Sequence, residues 1–263
     1  SSSKQVDYFL INSNDGNIWG CKNKKIFKME LSPSNDVLIN ISSSPLITIP
    51  HSIREDQCVV TNDHIIYFNN KKLYVYNKST PTNPSKTIQL RRRPTKLLLD
   101  ESYIYIQYGL GGDWRNAVYL NNNVNIQKIS QTNLLNDNID IKDVSIPNEF
   151  TAVGIDSNYF VLNGSKLHRI AKDGTKTDTI PPMYKNIQLN LIRIVGKNKC
   201  LIGIDNYGDI YVCILNNEIP DGKKWNLLKR SGRSSAEINK SDIKIYCNNN
   251  IYYIFYIVEK KIS

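Results

Sequence analysis

With 263 residues and a formal charge of +10, the chain is long enough to bury a core that needs neither metal nor disulfide to hold it. Only four alanines occur (Ala117, Ala152, Ala171 and Ala236), whereas Ile, Val, Tyr and Phe recur throughout, a balance that excludes a helical protein and fits packed sheet. No apolar run approaches the roughly 20 residues of a membrane helix, so membrane insertion is not expected.

In chain order, one unit recurs: a strand, a polar turn, a second strand carrying an aromatic, a further turn and a third strand. The first reads DYFLINSNDG at 7–16, NIWGCKN at 17–23 and KIFKMEL at 25–31. The second reads CVVTND at 58–63, IIYFNN at 65–70 and KKLYVYN at 71–77. The third begins with KLLLDESYIYIQY at 96–108. The fourth reads FTAVGIDSN at 150–158, YFVLNGS at 159–165 and KLHRIAKDG at 166–174. CLIGIDNYG at 200–208 with DIYVCIL at 209–215 forms the fifth, and IKIYCNNNIYYIFYIV at 243–258 the sixth.

The turn residues Asp15, Asp63, Asp100, Asp156, Asp205 and Asn248 mark these units, with gaps of 48, 37, 56, 49 and 43 residues. A four-stranded propeller blade takes about 40 to 50 residues. Gly or Asn supplies the positive φ of the tight turns. Strands packed on both faces should read as continuous apolar runs, as at FLI 9–11 and LIGI 201–204. The expected fold is therefore all-β: a single closed β-propeller domain over residues 1–263, with about six blades of mostly four antiparallel strands. A β-sandwich with an appended meander is the competing arrangement. Ring closure is expected from the N-terminal VDYFLI segment pairing into the last blade, which would protect its edge.

Three stretches interrupt the repeat. Residues 78–95, with Pro81, Pro84 and Pro94, read as a connection between blades, and 109–116, with three glycines ahead of Trp114, reads as a long hairpin tip. Residues 218–241 form a basic excursion with room for a short helix.

Chemistry is sparse. His51, His64 and His168 stand apart from one another and from any ligand spacing, so no metal site is expected. The glycines at 109–112 make neither a dinucleotide fingerprint nor a P-loop, and there is no GxSxG elbow. No catalytic residue and no cofactor are expected, and the chain reads as a non-enzyme. Asp205 and Asp209 flank a turn, where an aspartate caps its own backbone. Cys21, Cys58, Cys200, Cys213 and Cys247 are odd in number and scattered, which suggests reduced, buried thiols and an intracellular location, cytoplasmic or nuclear.

The positive charge favours an acidic partner, protein or nucleic acid. Two basic features could meet it. Arg91, Arg92 and Arg93 precede Pro94, and DGKKWNLLKRSGR at 221–233 sets Lys223, Lys224, Lys229, Arg230 and Arg233 around Trp225. Cations beside an aromatic suit phosphate contacts with ring stacking, and Trp114 is a further candidate contact. The bland reading is a solvated loop with Trp225 as a blade anchor.

At the turns DGNIWG (15–20), NYGDIYVC (206–213) and NGSKLHRI (163–170), the sequence resembles the tectonin and RCC1-like group of propellers, and 185–213 resembles one whole repeat of it. The resemblance implies a binding protein. The glycine pairs of RCC1-like repeats are missing, so nucleotide exchange carries over to no residue. Tectonin repeats are richer in tryptophan than this chain, which has Trp19, Trp114 and Trp225. Two functions follow as expectations: a scaffold presenting a basic surface to an acidic partner, or a tectonin-like carbohydrate-binding module. The oligomeric state is not legible.

Overall fold

The computed structural model describes residues 9–31, 38–41, 44–108, 126–144, 151–155, 158–163, 166–171, 177–197, 200–214, 225–230, 242–248 and 251–257. They are β-strands joined by turns, and they divide into two compact units: residues 1–119 with 125–144 and 248–250, and residues 120–124 with 145–247 and 251–263. Among the described residues the only helical turns are two short 3-10 segments, Glu55–Gln57 and Gln131–Asn133.

The first unit holds three antiparallel meanders. The first comprises β1 (Phe9–Ser13), β2 (Ile18–Lys22), β3 (Lys25–Leu31) and β4 (Leu38–Ile41), with β5 (Ile47–Thr48) also pairing to β3. The second comprises β6 (Cys58–Val60), β7 (His64–Asn69), β8 (Lys72–Asn77) and β9 (Lys86–Gln89). The third comprises β10 (Pro94–Leu99), β11 (Tyr103–Tyr108), β12 (Ile126–Ser130) and β13 (Ile141–Val144). The first strands of the first two meanders meet in parallel, Asn12 opposite Val59 and Ser13 opposite Val60.

Two expectations change here. Residues 78–95 are not wholly a connection, because β9 pairs with β8 and completes the second meander, Ile88 standing opposite Leu73. Ile88 buries an apolar side chain that a pattern of turn residues and prolines masks in the sequence. Residues 9–11, expected to complete the last blade, pair with β2 instead (Phe9 with Cys21, Ile11 with Trp19). Their apolar faces are already buried there, and residues 1–8 lie outside the described residues.

The apolar runs have a geometric cause. Successive strand residues point to opposite faces. On β7, Ile65 and Tyr67 pack with Ile11, Trp19, Cys21, Ile26 and Val60, while Ile66 and Phe68 pack with Leu73, Val75, Leu97, Ile104 and Ile106. One strand thus serves two cores, so no polar alternation survives in it.

The second unit holds β14 (Thr151–Ile155), β15 (Asn158–Asn163), β16 (Lys166–Ala171) and β17 (Thr177–Ile180) as one meander. A two-stranded hairpin follows, β18 (Met183–Tyr184) and β19 (Ile187–Gln188). The next meander is β20 (Leu191–Lys197), β21 (Cys200–Asp205), β22 (Ile210–Ile214) and β23 (Asn226–Lys229), and a final pair is β24 (Asp242–Asn248) with β25 (Ile251–Ile257). The fifth unit therefore begins one strand earlier than CLIGIDNYG: β20 pairs along β21 from Lys197 opposite Cys200 back to Leu191 opposite Asp205. Of the basic excursion, 226–229 is strand and not helix, because Leu227 lies opposite Tyr211 on β22.

Again β21 divides its side chains. Leu201 joins Leu191, Ile194, Tyr211, Cys213 and Trp225 on one face, and Cys200 and Ile202 join Ile210 on the other. At Gly203 a Cβ would lie 2.8 Å from Leu191 Cδ1 and 3.0 Å from Trp225 Cζ3, so the Trp225 ring occupies the space of the missing side chain.

Candidate functional site

Three of the marker aspartates make the same latch. Each sits in a hairpin turn, caps a backbone N–H two residues on, and reaches an aromatic on the next strand. Asp15 Oδ1 accepts from the Asn17 N–H at 3.0 Å, and the Trp19 indole donates to Asp15 Oδ2 at 2.9 Å. Asp100 Oδ1 accepts from the N–H of Ser102 and Tyr103 at 2.8 and 2.7 Å, and the Tyr105 hydroxyl donates to Oδ2 at 2.5 Å. Asp205 Oδ1 accepts from the N–H of Tyr207 and Asp209, both at 2.9 Å, and the Tyr211 hydroxyl donates to Oδ2 at 3.2 Å. Gly16 and Gly208 turn the chain inside two of these latches at φ 75° and 82°, a region that suits glycine. In the first unit the latches close the turns after β1 and β10. In the second the latch lies between β21 and β22, the second hairpin step of its meander. Asp205 therefore acts structurally, ordering its own turn and anchoring a buried tyrosine.

The Asp15 latch carries a cation as well. Lys78 Nζ lies 2.6 Å from Asp15 Oδ2 and donates to the carbonyls of Thr61 and Asn62, both at 2.8 Å, while standing 5.1 Å from the centre of the Trp19 ring. This ion pair joins the first meander to the second. Beside it, Asn14 Nδ2 donates to the Asp100 carbonyl at 3.0 Å, and Gln131 Nε2 donates to the same carbonyl at 2.7 Å. One polar seam thus ties all three meanders of the first unit at the turns where β1, β6 and β10 end. Lys78 carries no local sequence signal, since its partner lies 63 residues away.

The basic residues singled out in the sequence fall out differently. Arg91 and Arg92 both stand over the Tyr108 ring, 5.2 and 5.1 Å from its centre. Arg91 Nη2 pairs with Asp143 Oδ1 at 3.2 Å. Arg92 is half-buried, and its Nε and Nη2 are buried without a hydrogen-bond partner. Burial, and then the neighbouring Arg91 charge, lowers the Arg92 pKa. Burial pushes the Tyr108 hydroxyl up to about 12. That hydroxyl donates to Gln127 Oε1 at 2.6 Å, and Gln127 Nε2 donates to Asp143 Oδ1 at 3.0 Å. Arg93 is exposed. Tyr108, Gln127 and Asp143 escape sequence reasoning because they arrive on three different strands of the third meander.

Trp225 is 1% exposed and packs inside the core of the second unit with its indole N–H unpaired, so it offers no open face for stacking on a base. This is the anchoring arrangement, and its cause is the gap above Gly203. Lys229 and Arg230 follow it on the surface. Trp114, Lys223, Lys224 and Arg233 lie outside the described residues.

The histidines are dispersed. His51 Nδ1 lies 3.1 Å from the Tyr67 hydroxyl, His168 Nδ1 lies 3.1 Å from Thr179 Oγ1, and burial lowers the His64 pKa. Among the described residues, no three His, Cys, Asp or Glu side chains gather as metal ligands, and no helix is long and apolar enough to cross a membrane. Cys21, Cys58, Cys200 and Cys213 are buried.

The four-stranded meanders, latched at their turns, have counterparts among solved structures. The likeness is to β-propellers. Hsv2 of Kluyveromyces lactis, with its loop 6CD complete, matches over 94% of this chain and 89% of its own, at a TM-score of 0.53 and 11% identity. PorZ, a surface component of the type-IX secretion system of Porphyromonas gingivalis, matches over 95% of this chain at a TM-score of 0.51 and 8% identity, and this chain spans 32% of it. Yeast RCC1 (Prp20), solved with Kap60, gives a TM-score of 0.48 at 9% identity, over 94% of this chain and 65% of its own. No family model and no curated protein matches the sequence. At such identities the likeness is one of fold.

Proposed function

We propose that this chain is a non-enzymatic β-propeller scaffold, one domain of about six blades over residues 1–263, that presents basic residues to an acidic partner. The observation that carries the reading is the Arg91–Arg92 pair stacked on Tyr108, where two adjacent cations share one ring and only Arg91 has a carboxylate, Asp143. Like charges are brought together at the surface of a folded protein only against repulsion, and an anionic partner relieves it. The net charge of +10 points the same way. Lys229, the last residue of β23, and Arg230 after it are both exposed and form a second basic element of the second unit. Trp225 takes no part beyond holding that strand in place.

The test is binding of an acidic polymer, poly-glutamate, followed against salt. Replacing Arg91, Arg92 and Arg93 together by Gln should weaken binding about tenfold or more and lower the salt slope, since each lost ionic contact removes nearly one unit. Equal affinity in the two proteins, or no binding by either, would overturn the reading. Saturable binding on a glycan array that ignores the arginine replacements would establish the carbohydrate-binding alternative in its place.

A further inference from the structure

The charges around Tyr108 do not balance. Asp143 is held by Arg91 through two contacts, Nη2 to Oδ1 at 3.2 Å and Nη1 to Oδ2 at 3.5 Å, and it also receives the Gln127 amide. Gln127 in turn is held by the Tyr108 hydroxyl. The one carboxylate of the cluster is therefore engaged by Arg91 and Gln127, and the second guanidinium is left over. On Arg92 the unpartnered atoms are Nε and Nη2, which together form the side of the guanidinium that grips an oxyanion with two parallel hydrogen bonds. A buried donor pair without an acceptor is costly, and it becomes favourable once an acceptor is supplied.

Resting on the acidic-partner reading above, we propose that Arg92 is the receptor for a single carboxylate, the side chain of an Asp or Glu in a partner protein. The guanidinium turns about its terminal bonds, exchanging part of its contact with the Tyr108 face for the two-pronged bond. Tyr108 positions it, and the Arg91–Asp143 pair keeps Arg91 from competing. The surroundings favour one oxyanion over a polyanion such as nucleic acid. Asp143, the carboxylate beside Arg91, is itself 69% exposed at the rim of the cluster. A phosphate backbone laid across this surface would run against the exposed Asp143 carboxylate, whereas one side-chain carboxylate need meet only Arg92.

The experiment uses the full chain and three probes: a Gly/Ser peptide carrying one Glu and blocked at both termini, its Gln twin blocked in the same way, and an oligothymidylate. The readout is the Arg92 Nε–H resonance, assigned by its loss in Arg92→Lys. The Glu peptide should shift that resonance and the Gln twin should not. Affinity for the Glu peptide should fall about tenfold in Arg92→Gln and in Arg92→Lys alike, because lysine keeps the charge and loses the fork. The salt dependence should be shallow, since one ion pair forms and a short peptide has no condensed counterions to release. Undiminished binding by Arg92→Lys, or a preference for the oligonucleotide with a slope of about four or more, would overturn the single-carboxylate receptor and leave the general basic surface standing. Poly-glutamate binding with no shift from the Glu peptide would do the same, whereas no response to any anionic probe would overturn both.

Discussion

Replacing Lys78 by Met tests whether the Asp15 ion pair holds the first two meanders together. Methionine keeps the unbranched stem and removes the ammonium with its three bonds, to Asp15 Oδ2 and to the carbonyls of Thr61 and Asn62. What remains is a carboxylate whose side chain is 5% exposed and has no cation beside it. Breaking a buried pair from one side costs about 3–5 kcal/mol. Two features put this site at the low end: Lys78 is itself 17% exposed, and Asp15 keeps the donors of Asn17 and Trp19. The expected loss is about 3 kcal/mol, or about 6 °C in melting temperature for a chain of this size. Denaturant unfolding and calorimetry of Lys78→Met measure it. The double variant Asp15→Asn/Lys78→Met buries no charge, so it should recover at least half of the loss. A loss below about 1 kcal/mol, the ordinary value for an exposed pair, would refute the clamp. So would a double variant that simply added the two single losses.

Trp225→Ala should lower stability by about 3–5 kcal/mol and leave poly-glutamate affinity per folded molecule unchanged. Gly203→Ala, which pushes against the same ring, should cost about 1–3 kcal/mol. Loss of affinity without loss of stability in Trp225→Ala would contradict the anchoring role. Alkaline pH should also destabilise the fold. Burial raises the Cys21 thiol from 9.0 to about 11 and the Tyr108 hydroxyl from 10.0 to about 12, so folding favours the protonated forms. That stability is whole below pH 9 and is lost as pH climbs through the folded values. Melting temperature should therefore fall steadily between pH 9 and about 11, and a flat profile there would count against buried, neutral groups at these positions.

The repeat was legible in the sequence because it is written in local terms. Strand residues facing two cores must be apolar in succession, as Ile65–Phe68 are, and tight turns require residues that tolerate positive φ, as Asn23 (49°) and Asn70 (51°) do. Asp15, Asp100 and Asp205 were visible as turn markers for the same reason, since each binds backbone within a few residues of itself. The latch to the aromatic lay just beyond that range. Its spacing varies from four residues at Trp19 to six at Tyr211, so a fixed motif does not capture it. β9 was missed because it gains its identity from a neighbouring strand, not from its own pattern, whereas β20 lay within the 185–213 segment that resembles one whole repeat but outside the unit read from CLIGIDNYG. The basic candidates show the division most clearly. Composition supplied the charge and the run Arg91–Arg93, but sequence cannot say which cation has a carboxylate. Tertiary structure decided that Asp143, 52 residues from Arg91, takes one guanidinium and leaves the next without a carboxylate, because a Coulombic contact depends on distance through space and not along the chain.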